Sequence, residues 1–275
     1  RGAFSEGAAW ALAPGLRAEP RRSFPEVVRS VEAGQDQAGV LPVENTLAGG
    51  VTAALDALVQ GDVRAIAEVV LPIRHALLGV DGADRSEVVE VRSHPVALAQ
   101  CRRFFDEHPG IEPVAVRDTA GAARRVAELG DPSIAALAGR HAGDTYGLTV
   151  LADDLQDRDD NQTRFLLLVA SGQNEPVVRH AMTPLGRTRW KTGLSVETRN
   201  RPGELRDLLT VFADRGLDLT FILSRPTGTP WTYRFILEFC HGTLEEGETC
   251  VEAAGVSGRM VRVLGTYGAV ETPAP

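Results

Sequence analysis

Four short polar words recur where apolar-periodic stretches begin. They are Ser5 before Glu6-Gly7-Ala8-Ala9, Asn45-Thr46 before Leu47 to Val59, Ser93-His94-Pro95 before Val96 to Phe105, and Asp118-Thr119 before Ala120 to Leu129. Small hydroxyl and amide side chains suit a helix N-terminus because they accept from backbone N–H groups that have no partner in the first turn. Taken singly, each is an N-cap worth about 1 kcal/mol to its helix. Each also follows an expected strand, and the carboxyl ends of strands in open α/β sheets are where ligands bind. Four helix N-termini facing one cleft would gather unpaired N–H groups and positive dipole ends, an arrangement suited to binding an anion such as a carboxylate or phosphate.

Alternating apolar runs and helical patterns extend to about Ala170 and predict an α/β architecture with largely parallel sheets. Strands are expected at Ala38 to Pro42, Ile66 to Val80, Val88 to Arg92, Pro113 to Arg117, Ser133 to Ala138 and Arg164 to Ala170. Helices are expected over Ala97 to Glu107 and over Ala120 to Leu129, where Ala122, Ala123, Val126 and Leu129 recur at helical spacing. The opening Arg1-Gly2-Ala3-Phe4-Ser5-Glu6 reads as a loop entering a helix, which predicts a strand ahead of it. Periodicity is lost from Ser171 to Arg189, where Pro176 and Pro184 mark a linker. Beyond it the pattern restarts. A strand from Lys191 to Arg199 precedes a helix that Pro202 opens and Gly216 closes, with Leu205, Leu208, Leu209 and Phe212 as its stripe. Strands Leu217 to Leu223 and Trp231 to Cys240, a helix Leu244 to Ala254 and a strand Met260 to Tyr267 complete a βαββαβ order. That fold alone is silent on function.

Bulk properties narrow the classes. A chain of 275 residues exceeds the roughly 100 to 200 of one ordinary domain, and its 43% apolar content supports proper cores. The net charge is −8, with 37 acidic against 29 basic residues and no basic run, so neither nucleic acid nor an anionic membrane is an expected partner. An anionic substrate would need locally arranged donors, because the global field repels it. Cys101, Cys240 and Cys250 lie far apart without CxxC spacing, which argues against a disulfide framework or a zinc site and for reduced cytosol. No apolar run reaches the roughly 18 to 20 residues of a membrane span, and no signal segment opens the chain. No phosphate-cradling glycine loop, metal-spaced cluster or nucleophile elbow appears, so no cofactor or metal is expected.

The words Gly2-Ala3-Phe4-Ser5-Glu6, Leu41-Pro42-Val43-Glu44-Asn45-Thr46, Ser93-His94-Pro95 with Gln100-Cys101, Asp118-Thr119-Ala120 and Asn161-Gln162-Thr163-Arg164-Phe165 resemble those of prephenate dehydratases carrying an ACT domain. The similarity runs from about Gly2 to Gly268. It implies a two-lobed α/β catalytic domain over 1–172, like a type II periplasmic binding protein, with the active site between the lobes. Lobe one would take about 1–72 and 155–172, and lobe two 73–154. A linker over 173–189 and a ferredoxin-like ACT domain over 190–268 would follow.

The implied reaction is loss of carbon dioxide and water from prephenate to give phenylpyruvate. Decarboxylation pushes electrons through the ring while hydroxide leaves, and aromatisation drives both. The enzyme has to hold a dianion and help the hydroxyl depart. The resemblance places Thr163 beside that hydroxyl, where a threonine serves as hydrogen-bond donor or relay rather than as an acid. Glu44 is either the supporting acid, its pKa raised in a desolvated cleft, or a structural cap or lobe-bridging hydrogen bond. Arg164 either clamps a substrate carboxylate or pairs with a neighbouring acid. Ser5, Asn45, Thr46, Ser93, Gln100, Thr119, Asn161 and Phe165 are the expected substrate contacts. His94 reads as a packing or capping residue and Cys101 as core. The family commonly has glutamine where Val96 stands, which bears on the choice between prephenate and its amino analogue arogenate. The rival outside enzymes is a non-catalytic amino-acid or anion-binding module.

Asn200-Arg201-Pro202-Gly203-Glu204-Leu205 and Leu223-Ser224-Arg225-Pro226 resemble the two effector words of ACT domains in phenylalanine-regulated dehydratases. The resemblance implies phenylalanine bound by Asn200, Pro202, Gly203, Leu205, Ser224, Arg225 and Pro226, and a homodimer or homotetramer formed through these domains. Two positions depart. Glu204 stands for the usual alanine and Leu223 for the usual glutamate, and the second change takes away a carboxylate contact to the effector or to an adjacent loop.

Overall fold

Phe165-Leu166-Leu167-Leu168-Val169-Ala170 is apolar without alternation, the mark of a strand covered on both faces. In the computed structural model, which describes residues 1–172, 175–181, 189–199, 201–256 and 259–270, that run is central to the larger of two sheets. The chain begins with α1 (Phe4–Leu12), α2 (Phe24–Glu32), β1 (Gly39–Asn45), β2 (Gly49–Gly50), α3 (Thr52–Gln60) and β3 (Val63–Pro72). It then builds a second lobe from β4 (Ala76–Gly79), β5 (Glu90–Ser93), α4 (Pro95–Ala99), α5 (Arg102–Glu107), β6 (Glu112–Ala115), α6 (Thr119–Leu129), β7 (Ile134–Ala138), α7 (Arg140–Tyr146) and β8 (Thr149–Ala152). It returns to the first lobe as β9 (Gln162–Ala170) and α8 (Glu175–Ala181). The rest is β10 (Trp190–Glu197), α9 (Glu204–Ala213), β11 (Asp218–Pro226), β12 (Tyr233–His241), α10 (Leu244–Gly255) and β13 (Met260–Gly268), the expected βαββαβ order.

The strand orders are β6-β5-β7-β4-β8 in the second lobe and β11-β12-β10-β13-β3-β9-β1-β2 in a sheet that joins the C-terminal unit to the first lobe. The junction is a close one. Gly265 of β13 pairs with Ala65 of β3, and a Cβ built on that glycine would lie 2.3 Å from the Ala65 carbonyl oxygen. Only glycine lets the two backbones approach so closely. The core is shared across the junction, since Ile236, Leu264 and Tyr267 pack in one cluster with Val31, Leu41, Leu55 and Leu58. Leu223 packs against the same cluster, so the position where a glutamate was expected is an apolar contact between the units.

Several expectations are corrected. The sheets are mixed rather than largely parallel: β9 runs antiparallel to β1 and β3, and β4 antiparallel to β7 and β8, while β5 runs parallel to β6 and β7. The single strand expected from Ile66 to Val80 is β3 and β4, parted where Pro72 precedes the crossing from one sheet to the other. The helix expected over Ala97 to Glu107 breaks into α4 and α5, because the Asp157 carboxylate accepts from the backbone N–H groups of Arg102 and Arg103 at 2.9 and 3.1 Å and caps a new helix there. The helix expected from Leu47 starts at Thr52, after the β1–β2 turn. α2, with Ser23 as its cap, and β8 were not among the expected elements. α8 lies inside the expected linker and seats Val178 in the first lobe's core, although residues 182–188 lie outside the described residues.

Candidate active site

β1 and β9 bring the first functional pair together by register: Asn45 lies opposite Thr163, and Glu44 opposite Arg164. Successive side chains of a strand point to opposite faces, so Thr163 and Arg164 cannot share one pocket. On one face, Asn45 Nδ2 donates to Thr163 Oγ1 at 2.9 Å, to Asn161 Oδ1 at 2.8 Å and to the Gln162 carbonyl at 2.9 Å. Asn161 Nδ2 donates to Gln100 Oε1 at 3.0 Å. Asn161 and Thr163 are buried, yet among the described residues no acceptor takes the Thr163 hydroxyl proton. Thr46 steadies the crossing strand, its hydroxyl donating to the Asp160 carbonyl at 2.8 Å and accepting from Gln162 N–H at 2.9 Å.

A cavity of about 300 Å³ opens between the lobes, lined by Leu47, Ala99, Gln100, Gln156, Asp157, Arg158 and Asn161. Thr163 lies two hydrogen bonds behind this wall, joined through Asn45 to the lining residue Asn161. Arg158 brings a cation to the wall, with Asp160 accepting from its Nε and Nη2 at 2.8 and 2.5 Å. His75, 2% exposed, stands behind Gln100 with Nε2 at 3.3 Å from Gln100 Oε1 and its ring edge-on to Phe4. Burial holds its pKa below the usual imidazole range, with the Gln100 contact offsetting part of that, so the ring is neutral at neutral pH. Sequence reasoning missed His75, Gln156, Asp157 and Arg158. The available signal was the placing of two short polar segments, Arg74-His75 and Gln156 to Asp160, at the two chain crossings between lobes.

The opposite face of β9 holds a buried charge cluster. Arg164 donates through Nε to Glu44 at 3.0 Å, through Nη1 to Glu68 and Glu238 at 3.1 Å each, and through Nη2 to Glu238 at 2.5 Å. Lys191 Nζ donates to the two Glu68 oxygens at 2.8 and 3.0 Å, and Tyr267 Oη to Glu238 at 3.3 Å. Burial works against the Arg164 charge, but the carboxylates of Glu238 and Glu68 outweigh it and hold its pKa well above the ordinary value. Burial also pushes the Tyr267 phenol well up. Of the two readings of Arg164, the structure shows the pairing with neighbouring acids rather than a clamp on substrate: Arg164 is 7% exposed and ties β9 to the C-terminal unit. Glu44 follows it, paired with Arg164 on the face away from Thr163, and so does not stand as the supporting acid.

The remaining expected contacts divide. Asn45 and Gln100 belong to the polar network, and Phe165 is enclosed in the body of β9. Ser93 does not face the cleft. Its hydroxyl is fully buried and donates to the Leu137 carbonyl at 2.5 Å, and His94 takes the cap position. Ser93→Ala is therefore expected to cost about 1 kcal/mol of stability and to leave KM unchanged, as thermal melting and steady-state kinetics would show. Ser5 is the second residue of α1, whose cap is Ala3, and Thr119 is the first residue of α6, whose cap is Asp118. Neither joins the Asn45, Asn161 and Gln100 network among the described hydrogen bonds. Cys101 is core, and burial pushes its thiol up to about 12.

In the C-terminal unit Asn200 lies outside the described residues. Gly203 adopts φ +91° and starts α9 two residues later than Pro202 would, while Pro202, Ser224 and Pro226 are exposed and Leu205 is half-buried. Glu204 is buried against Arg201 and Arg259, which fixes this turn. Arg225 points back to the first lobe, where Nε donates to Asp56 at 2.8 Å and Nη2 to its other oxygen, so its guanidinium is already engaged within the chain.

Comparison with known proteins fits this geometry to a family. A family model described as prephenate dehydratase matches residues 1–173, and one described as ACT domain matches 192–268. The chain belongs to the prephenate dehydratase family. A bifunctional chorismate mutase/prephenate dehydratase of Stutzerimonas stutzeri is 37% identical over 97% of this chain and 70% of its own length. An arogenate dehydratase/prephenate dehydratase of Arabidopsis thaliana is 38% identical over 82% of this chain, which spans just 57% of that protein. Among solved structures, a prephenate dehydratase of Arthrobacter aurescens in complex with L-Phe superposes with a TM-score of 0.85 at 32% identity, covering 99% of this chain and 91% of that one. Among the described residues no helix is long and apolar enough to cross a membrane.

Proposed function

We propose that this chain converts prephenate to phenylpyruvate in the cleft beside Asn45, Asn161 and Gln100, and that its C-terminal unit, about 190–268, senses phenylalanine. The observation that carries the reading is the state of Thr163. Its oxygen accepts from Asn45 Nδ2 at 2.9 Å, which leaves its proton available for a leaving hydroxyl. In the reaction the bond from the ring to the carboxyl carbon breaks, and its electron pair enters the ring. The bond from the ring to the hydroxyl oxygen breaks at the far end, and the departing hydroxide takes up a proton from solvent to leave as water. Thr163 supports that departure by hydrogen bonding. With Glu44 turned to the other face, aromatisation rather than a strong protein acid supplies most of the drive. The amide NH2 of Gln100 and Nη1 of Arg158, the guanidinium nitrogen that Asp160 does not hold, supply the local donors that a chain of net charge −8 needs for a dianion.

The ACT match and the phenylalanine-bound relative support a phenylalanine effector, and the homodimer or homotetramer rests on the pairing that the resemblance implies for such domains. Free, buried cysteines and a net charge of −8 with no basic run in the sequence support a cytoplasmic enzyme without nucleic-acid or membrane partners. The test is ultraviolet detection of phenylpyruvate after mixing the protein with prephenate, with arogenate as a second substrate, each with and without phenylalanine. Phenylpyruvate from prephenate, formed more slowly when phenylalanine is added, is expected. Turnover of arogenate alone would move the substrate reading to the amino analogue, and turnover of neither would leave a binding module.

A further inference from the structure

The direction of the hydrogen-bond chain behind the cavity is fixed from one end. The backbone N–H groups of Leu47 and Ala48 have no choice but to donate, and both meet one terminal atom of Asn45, at 3.0 and 2.9 Å. That atom is therefore Oδ1, and the other is the amide nitrogen. Asn45 Nδ2 then donates to Asn161, so the Asn161 atom it meets is Oδ1 and the atom facing Gln100 is Nδ2. Gln100 Oε1 accepts from Asn161 at 3.0 Å and stands 3.3 Å from His75 Nε2. A carbonyl oxygen has no hydrogen to give. His75 Nε2 must carry the proton, and Nδ1, buried and without a partner among the described residues, holds the lone pair.

The far end of the chain follows from the same logic. With Oε1 held by two donors, the Gln100 NH2 group has no protein partner among the described residues, and Gln100 lines the cavity. We propose that His75, in its Nε2–H tautomer, is a positioning residue that locks Gln100 with its NH2 group turned into the cavity, where that group binds an oxygen of the anionic substrate. This rests on the cavity being the substrate site. An amide turned by 180° would present its oxygen instead and repel a carboxylate. Two donors on Gln100 Oε1 hold the productive orientation, and one alone holds it less well.

His75→Phe keeps an aromatic ring against Phe4 but donates nothing, and His75→Asn places its amide where Nδ1 stood. His75→Gln puts an NH2 group close to the position of the imidazole Nε2. KM for prephenate is expected to rise roughly tenfold in the Phe and Asn variants, the scale of one hydrogen bond, with kcat little changed and KM near wild type in the Gln variant. A role in packing alone would reverse the ranking, with Phe tolerated and Gln impaired, and would overturn the proposal. A second readout needs no turnover. In 15N-labelled protein the His75 ring is expected to show the Nε2–H pattern in long-range proton–nitrogen spectra, and the Gln100 side-chain NH2 signals to shift in His75→Phe. An Nδ1–H pattern, or Gln100 signals unmoved by the substitution, would refute the lock. A wild-type protein inactive on prephenate would instead count against the catalytic reading and leave the tautomer result to decide on His75.

Discussion

Thr163→Val is expected to lower kcat for phenylpyruvate formation at least about a hundredfold while the protein folds and binds substrate nearly as before. The substitution keeps the branched shape and volume in β9 and removes only the hydroxyl. What is lost is a donor whose oxygen is fixed by Asn45 and whose hydrogen is unclaimed among the described residues. A donor placed at a departing group acts on the transition state, where charge grows on the leaving oxygen, more than on bound prephenate. Turnover should therefore fall further than KM rises. The hydrogen bond to Asn45 is worth about 1 kcal/mol in stability, and Asn45 Nδ2 keeps Asn161 and the Gln162 carbonyl as partners, so the fold is retained. Stopped-assay kinetics together with circular dichroism would check both halves of the statement. Near-normal turnover in the valine variant would remove Thr163 from the reaction.

The same strand shows why part of this site was legible in the sequence and part was not. Asn45, Asn161, Gln100 and Thr163 were all singled out, and the structure brings them together. For Arg164 and Glu44 a role in the same cleft stood beside a structural one, although strand periodicity puts Arg164 on the face opposite Thr163. That rule was available, but it fixes relative faces and cannot say what covers the far one. The cover comes from β10 and β12, whose Lys191 and Glu238 are distant in sequence. A hint lay in Glu68, an acid in the apolar run of β3, since a buried carboxylate implies a buried partner. Non-local capping explains the helix expected over Ala97 to Glu107. Asp157, more than fifty residues on, starts α5 where local pattern alone ran on unbroken. Ser93 reads locally as a cap before a proline, and only the packing of β5 on β7 shows that its hydroxyl is satisfied by Leu137 inside the second lobe.

Arg164→Met is expected to be strongly destabilising, costing about 3 to 5 kcal/mol and lowering the melting temperature by roughly 6 to 20 °C. Methionine fills similar space, so the loss is electrostatic rather than a cavity. Glu68 and Glu238 are 0% and 4% exposed, and both lie within 3.1 Å of the same guanidinium nitrogen. Without Arg164, Glu68 keeps Lys191 and the Val270 N–H, but Glu238 keeps only the Tyr267 hydroxyl at 3.3 Å among its described side-chain partners. A buried carboxylate so poorly compensated must take up a proton or pull the structure open. The cure follows from the cause: Glu238→Gln added to Arg164→Met removes the uncompensated charge and should recover part of the lost stability. In the wild-type background, by contrast, Glu238→Gln weakens a bidentate charged pair and should destabilise. A double-mutant cycle read by thermal melting measures that change of sign. Additive losses would show that Arg164 of β9 and Glu238 of β12 do not work as a pair across the junction of the first lobe and the C-terminal unit. Recovery would show that this junction is held by matched charge as well as by the apolar cluster around Tyr267 and Leu264.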